Sequence, residues 1–270
     1  MDNIIFELKN VSFSYLGKYP ALRGIDMAIK KGQKAAVIGA NGTGKSTLLE
    51  VLDGLIFPDS GTVKTFGEEL TESALADKDF LRNFRSKVGF VFQNSDVQLF
   101  CPTVKEDILF GPLQLGLSPK EANARLEALM EIIDIRVLLD RPPHHLSMGE
   151  KKKAAILSSL AIEPEVLILD EPTAGLDPAT VRQIIDAVID ANSFGKTIIT
   201  ATHDLHIVEE IADIVYVFGS DRRICRYGDA AEILKDTEFL KANNLVHIHS
   251  HRHKEQIHIH SHSHIEHHVP

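Results

Sequence analysis

The sequence predicts an α/β fold with a central parallel sheet, an antiparallel β portion near its start and an α-helical portion inserted in its middle. Three observations carry this prediction. The runs KAAVIGA (34–40) and EVLILD (165–170) read as buried strands, and each leads directly into residues suited to phosphate chemistry. A third strand, KTIITATH (196–203), follows a helical stretch that stops at Gly195, and strand–helix–strand succession implies crossovers in a parallel sheet. Between about residues 93 and 160 the apolar spacing becomes that of helices.

Taken in order, IIFELKNVSFSY (4–15) and ALRGIDMAIK (21–30) mix alternation with glycine-marked turns and predict paired strands. After the strand at 34–40, Leu48, Leu49 and Leu52 fit a helix over 45–55 that Gly54 and Pro58 end. In SPKEANARLEALMEIID, Ser118, Pro119 and Glu121 form a capping-box pattern, and Ala122, Leu126, Leu129, Met130 and Ile133 make one apolar face. The stretch 180–195 predicts the crossover helix. Past about residue 236 the apolar periodicity stops, which marks 1–236 as the domain and 237–270 as a tail expected to lack fixed structure until it binds metal.

Composition narrows the classes of function. The chain of 270 residues is 44% apolar and 25% charged, enough for a sizeable core. Its net charge of −9 argues against nucleic acid as a partner. Cys101 and Cys225 stand far apart, outside any CxxC pattern, and are expected to be buried apolar fillers in a reducing compartment. Neither a secretion signal nor an apolar run of about 18 residues is present, so a soluble chain is expected, with any membrane role exercised through a partner.

Residues 39–47, GANGTGKST, satisfy G-x-x-x-x-G-K-[ST] through Gly39, Gly44, Lys45 and Ser46. The loop of Gly39, Ala40, Asn41, Gly42, Thr43 and Gly44 lets backbone N–H groups face a phosphate, and the following helix adds its positive end. Lys45 would neutralise β- and γ-phosphates, the Ser46 hydroxyl would hold Mg²⁺, and Thr47 completes the motif. In VLILDEPTAGLD (166–177), Asp170 and Glu171 fall at the carboxyl end of a buried strand, where open α/β sheets bind ligands. Asp170 suits the metal, mainly through water, and Glu171 suits a water aligned for in-line attack.

With these motifs in order, residues 1–235 resemble the ATP-binding-cassette (ABC) ATPases, whose P-loop NTPase core carries an antiparallel β subdomain and an inserted helical subdomain. The resemblance implies further roles. Gln93 in FQN is similar to the Q-loop glutamine, a Mg²⁺ ligand. Ser147 and Gly149 in LSMGE lie at the signature position, Asp177 ends the D-loop, His203 in ATHD matches the switch histidine, and Tyr15 matches the aromatic that stacks on adenine. It also implies ATP and Mg²⁺ as cofactors, ATP hydrolysis with Glu171, His203 and Lys45 as catalytic groups, and a head-to-tail dimer, homo- or heteromeric. In that dimer each ATP lies between one phosphate loop and the other signature. Integral membrane subunits and a peripheral place on the cytoplasmic face of the membrane follow from the same resemblance.

The signature departs from the family's L-S-G-G-Q at Met148 and Glu150. SMGE is itself a capping-box pattern, so Glu150 is expected to bond back to the Ser147 N–H; the competing reading is a carboxylate that weakens the ATP sandwich, partly offset by Lys151, Lys152 and Lys153. The segment VFQNSDVQLF (91–100) resembles the energy-coupling-factor group, with Phe92, Leu99 and Phe100 as candidate contacts to a membrane subunit.

The tail repeats itself: HIHSHRH (247–253) and HIHSHSH (258–264) stand eleven residues apart. In extended chain, His247, His249, His251 and His253 share one face, as do His258, His260, His262 and His264, at spacings of about 7 Å. Neutral imidazole suits Ni²⁺, Co²⁺ or Zn²⁺. Together with the resemblance, this predicts the ATPase of a cobalt or nickel importer. The alternatives are the ATPase of a vitamin or other micronutrient importer, and a soluble nucleotide-regulated metal-binding protein.

Overall fold

The computed structural model describes the backbone of residues 3–253 and 256–262 and the side chains of residues 3–246. The chain opens with β1 (Ile4–Tyr15) and β2 (Tyr19–Lys30), then β3 (Lys34–Ile38) and α1 (Lys45–Leu52). β4 (Ser60–Thr65) and β5 (Glu68–Glu69) return to the first hairpin, making an antiparallel sheet of order β2-β1-β4-β5. Next come α2 (Glu72–Ala76), α3 (Lys78–Lys87) and β6 (Val88–Val91). The helical insertion holds α4 (Val104–Gln114), α5 (Pro119–Met130) and α6 (Met148–Leu160), and each begins in a complete capping box, led by Thr103, Ser118 and Ser147. The chain re-enters the core as β7 (Val166–Asp170), α7 (Pro178–Ser193), β8 (Thr197–Thr202), α8 (Leu205–Ile211), β9 (Ile214–Phe218) and β10 (Ile224–Asp229).

The second sheet has the order β10-β9-β3-β8-β7-β6, parallel throughout except for the β10 edge. Parallel strands covered on both faces must be apolar on both, and β7 and β8 are buried at every position. The β8 register sets the site: Ala201 pairs with Asp170 on β7, and Thr202 pairs with Ile38 on β3. The residues that follow, Gly39, Glu171 and His203, therefore leave one edge of the sheet side by side. Where ladder pairing ends on adjacent strands, side chains can converge on a ligand.

Three differences from expectation stand out. The packed chain runs beyond residue 236: α9 (Ala230–Lys235) and α10 (Thr237–Ala242) cover β3 and β9, with Leu240 2% and Leu245 3% exposed in that core. A six-residue helix is too short to show periodicity, so the boundary was invisible in sequence. Cys225 is exposed, on an edge strand that alternates in burial, while Cys101 is half-buried. Leu99 is buried in the helical core rather than offered to a partner, whereas Phe100 is 67% exposed and stacks edge-on against Phe110.

In the tail, β11 (His247–His253) and β12 (Gln256–His262) pair antiparallel, with His247, His249 and His251 opposite His262, His260 and His258. His264, and the imidazoles of the other seven candidate ligands, lie outside the described part.

Candidate functional site

The turn after β3 is shaped by close packing as much as by conformation. Gly44 has φ +110°, and a Cβ there would stand 2.3 Å from the Ala21 carbonyl oxygen; one at Gly39 would stand 2.9 Å from Phe218 Cβ. Both positions exclude a side chain, which keeps the loop tight against β2 and β9. Inside the loop the Thr43 hydroxyl donates to Ala40 O at 2.8 Å, and Lys45 Nζ donates to Gly39 O (2.8 Å) and Ala40 O (3.3 Å). Gly39, Ala40 and Thr43 thus build the loop, while Asn41, Gly42, Gly44, Lys45, Ser46 and Thr47 line a cavity of about 460 Å³.

That cavity also collects Tyr15, Gln93, Glu171 and His203, brought from β1, the end of β6, β7 and β8. Tyr15 is fixed at its rim by donating to Glu50 Oε2 at 3.1 Å and sharing a 3.1 Å bond with the Thr47 hydroxyl. His203 Nδ1 lies 2.9 Å from Glu171 Oε1, and Lys45 Nζ lies 3.8 Å from the same oxygen. Glu171 adopts φ +43°, a left-handed conformation that costs a non-glycine residue about 1–2 kcal/mol. Its N–H donates to Ala201 O at 2.9 Å, so the turn is held from β8 while its side chain is aimed at the cavity.

The site concentrates charge at low exposure. Burial lowers the Lys45 ammonium from its ordinary value, opposed by Glu171 and Asp170. Burial raises the Asp170 carboxyl, against the lowering pull of the Ser46 hydroxyl and Lys45. Asp170 Oδ1 is buried without a protein partner. An unsatisfied buried carboxylate oxygen is costly, and a hard divalent cation is the group that would satisfy it. The oxygens of Ser46, Gln93 and Asp170 are of the type Mg²⁺ prefers, so the donor set fits that ion.

Ser147, Gly149 and Asp177 do not line this cavity; they meet one another elsewhere. Ser147 caps α6, with Glu150 accepting from the Ser147 N–H at 2.7 Å, the capping-box reading of SMGE. Asp177 caps α7 and accepts from the Thr180 hydroxyl at 2.6 Å, and Thr180 packs against Gly149. Met148 projects beside them, its sulfur 3.3 Å from where a Cβ on Gly175 would stand. One chain therefore carries two separate surfaces, a phosphate-loop cavity and a paired helix-end face.

Two contributions went unread in sequence. Tyr19, Pro20 and Ala21, which begin β2, wall the Tyr15 end of the cavity. Arg222 joins them from the β9–β10 turn, its backbone carbonyl accepting from the Arg23 N–H at 3.0 Å. No short-range motif could reveal a residue some 200 positions from Tyr15. Among the described residues its guanidinium has no hydrogen-bond or ion-pair partner.

Residues 22–174 match the family described as "ABC transporter". The chain is 45% identical to the nickel import ATP-binding protein NikO of Rhodobacter capsulatus over 89% of its own length and 95% of that protein. It is 44% identical to the energy-coupling factor transporter ATP-binding protein EcfA of Methanothermobacter thermautotrophicus, over 89% of this chain and 76% of that one. Among solved structures, CbiO1 of Clostridium perfringens, part of the transporter complex CbiONQ, superposes with a TM-score of 0.76 at 36% identity, covering 90% of this chain and 96% of that one. A dimeric ATP-binding cassette in a post-hydrolysis state with ADP and Pi superposes with a TM-score of 0.75 at 26% identity, over 84% and 99% of the two chains.

Proposed function

The chain belongs to the ABC transporter family and is an ATPase of the energy-coupling-factor type, and from that premise we propose that it energises uptake of nickel or cobalt by a membrane importer. The observation that carries the catalytic part is the convergence of Lys45, Glu171 and His203 in one cavity, with Tyr15 at its far end. In this reading the loop N–H groups and the positive end of α1 receive the phosphates, and Lys45 leaves its loop carbonyls to neutralise them. Glu171 orients and polarises the attacking water, His203 holds the Glu171 carboxylate and contacts the γ-phosphate, and Tyr15 stacks on the base. Ser46, Gln93 and Asp170 would hold Mg²⁺, which supplies neutralisation of the phosphate charge when bound.

The separate placement of Ser147, Gly149 and Asp177 supports a head-to-tail pair of cassettes. A site that needs both surfaces requires a second chain, because one chain does not bring them together. Whether that chain is a second copy or a related ATPase is a matter for mass measurement of the purified complex. Among the described residues no helix is long and apolar enough to cross a membrane, so transport requires other subunits. Exposed Phe100 and Phe110 on the helical insertion are a suitable apolar contact for one.

The metal cargo is favoured by similarity to NikO and CbiO1 and by the histidine repeats. We assign the tail a buffering role at the cytoplasmic face, with alternate imidazoles taking Ni²⁺ or Co²⁺. The test is uptake of radioactive nickel and cobalt by cells carrying the complete transporter, with Glu171→Gln as the inactive control. Energised uptake of a vitamin and of neither metal would sink the metal reading and leave the ATPase reading intact.

A further inference from the structure

Lys152 is an uncommon lysine. It lies one turn into α6 and is 2% exposed, so its ammonium is almost wholly removed from water. A buried ammonium needs partners. Lys152 Nζ donates to two consecutive backbone carbonyls, Phe92 O at 2.9 Å and Gln93 O at 2.8 Å. These belong to the segment that carries Gln93 from the end of β6 into the helical insertion.

The same segment is stitched to α6 further along. Ser159 donates to Phe90 O at 2.8 Å, Gln98 donates to Ala155 O at 3.0 Å, and Gln98 Oε1 accepts from the Phe92 N–H at 3.3 Å. Lys152, Ala155 and Ser159 occupy one face of the helix at three- and four-residue spacing, so residues 90–98 lie along α6 as a strap. Of these stitches only Lys152 reaches Gln93 itself, while Lys151, one residue earlier on the helix, pairs with Asp96 Oδ1 at 2.6 Å. Burial draws its ammonium down to about 8, while the charges of Asp170 and Glu171 hold it up.

We propose that Lys152 is a positioning residue: by gripping the carbonyls of Phe92 and Gln93 it ties Gln93, in the phosphate cavity, to the helix whose first turn carries Ser147 and Gly149. This rests on the reading of Gln93 and Ser147 as nucleotide-site residues. A shift of the α6 N-terminus on meeting the neighbouring chain's nucleotide then carries Gln93 with it. Conversely, a pull on the insertion by a membrane subunit is felt in the cavity. The lysine makes the two surfaces of one chain mechanically a single part.

Lys152→Met keeps an unbranched side chain one atom shorter and removes its donors; Lys152→Gln keeps a donor without the charge. In the full chain, ATP affinity, steady-state kcat and KM, and hydrogen exchange at residues 92–98 are measured, with melting temperature as the check on folding. For Lys152→Met the expectation is ATP affinity within about twofold, kcat reduced by about 10–100-fold as for a displaced site group, and faster exchange confined to 92–98. Lys152→Gln should restore part of both kcat and protection, and it carries the comparison if the methionine variant does not fold. Unchanged kcat in the folded variants, or faster exchange without loss of kcat, overturns the proposal. Failure of the underlying reading is separate, because then Gln93→Ala and Ser147→Ala would hydrolyse ATP as the parent does.

Discussion

Glu171 and His203 meet at the sheet edge with 2.9 Å between Oε1 and Nδ1, and the same carboxylate oxygen lies 3.8 Å from Lys45 Nζ. The contact is a consequence of register: β7 and β8 pair Asp170 with Ala201, so the residue after Asp170 and the second after Ala201 emerge as neighbours. The left-handed backbone at Glu171 turns its carboxylate back toward the phosphate loop. A base within hydrogen-bond reach of its orienting partner is the arrangement water activation needs.

Glu171→Gln is expected to retain ATP binding and lower kcat by about 10²–10⁴-fold, the usual contribution of a positioned general base. His203→Ala should lower kcat less than Glu171→Gln does, because the carboxylate remains. Steady-state phosphate release alongside equilibrium nucleotide binding reads both. A glutamine variant with parental kcat would remove Glu171 from the chemistry.

Arg222→Ala is expected to raise KM for ATP by about tenfold, or about 1.4 kcal/mol, with kcat unchanged. Arg222 lines the cavity from the β9–β10 turn, its backbone tied to the start of β2, and the expectation is that its contribution is the same in ground and transition states. A fall in kcat at constant KM would place it nearer the reaction than the fold does.

Asp53, at the end of α1, has its carboxyl pushed up to about 6 by burial, against the pull of Arg85 at 2.9 Å. The folded chain therefore holds this proton more tightly than the unfolded chain, whose carboxyl keeps its ordinary 3.8. Its stabilisation is complete below about 3.8 and is lost as pH rises through about 6, a change on the order of 3 kcal/mol. Urea unfolding of parent and Asp53→Asn between pH 4 and 7.5 should show the parent losing stability relative to the variant as pH rises. A pH-independent difference would contradict this.

Truncation separates the tail from the core. Removing residues 247–270 is expected to abolish tight nickel binding, leave ATP hydrolysis unchanged and leave the melting temperature within a degree or so. Removing residues 237–270 also strips Leu240 and Leu245 from their core, and should cost about 3 kcal/mol or more. Nickel binding by isothermal calorimetry and melting by circular dichroism distinguish the two cuts. Metal affinity of the full chain should weaken below about pH 6, where imidazoles take up protons. Undiminished nickel stoichiometry after the shorter truncation ends the case for the tail.

Local chemistry was legible from the residues alone. Strands with no room for polarity, a glycine loop before Lys45, an acid pair closing an apolar run and the capping boxes led by Ser118 and Ser147 are short-range patterns, each set by the geometry of a few consecutive residues. They suffice for an α/β nucleotide-binding chain and for most of its site. The fate of individual apolar residues was less legible, because Leu99 and Phe100 are adjacent and chemically alike yet one is core and the other surface.

What only the tertiary structure decided depends on contacts between residues far apart in the chain. The β7–β8 register joins Glu171 to His203, the β9–β10 turn brings Arg222 to Tyr15's end of the cavity, and α6 places Lys152 under the carbonyl of Gln93. No periodicity encodes such meetings, since they follow from how packed elements share one core rather than from the order of residues within any element.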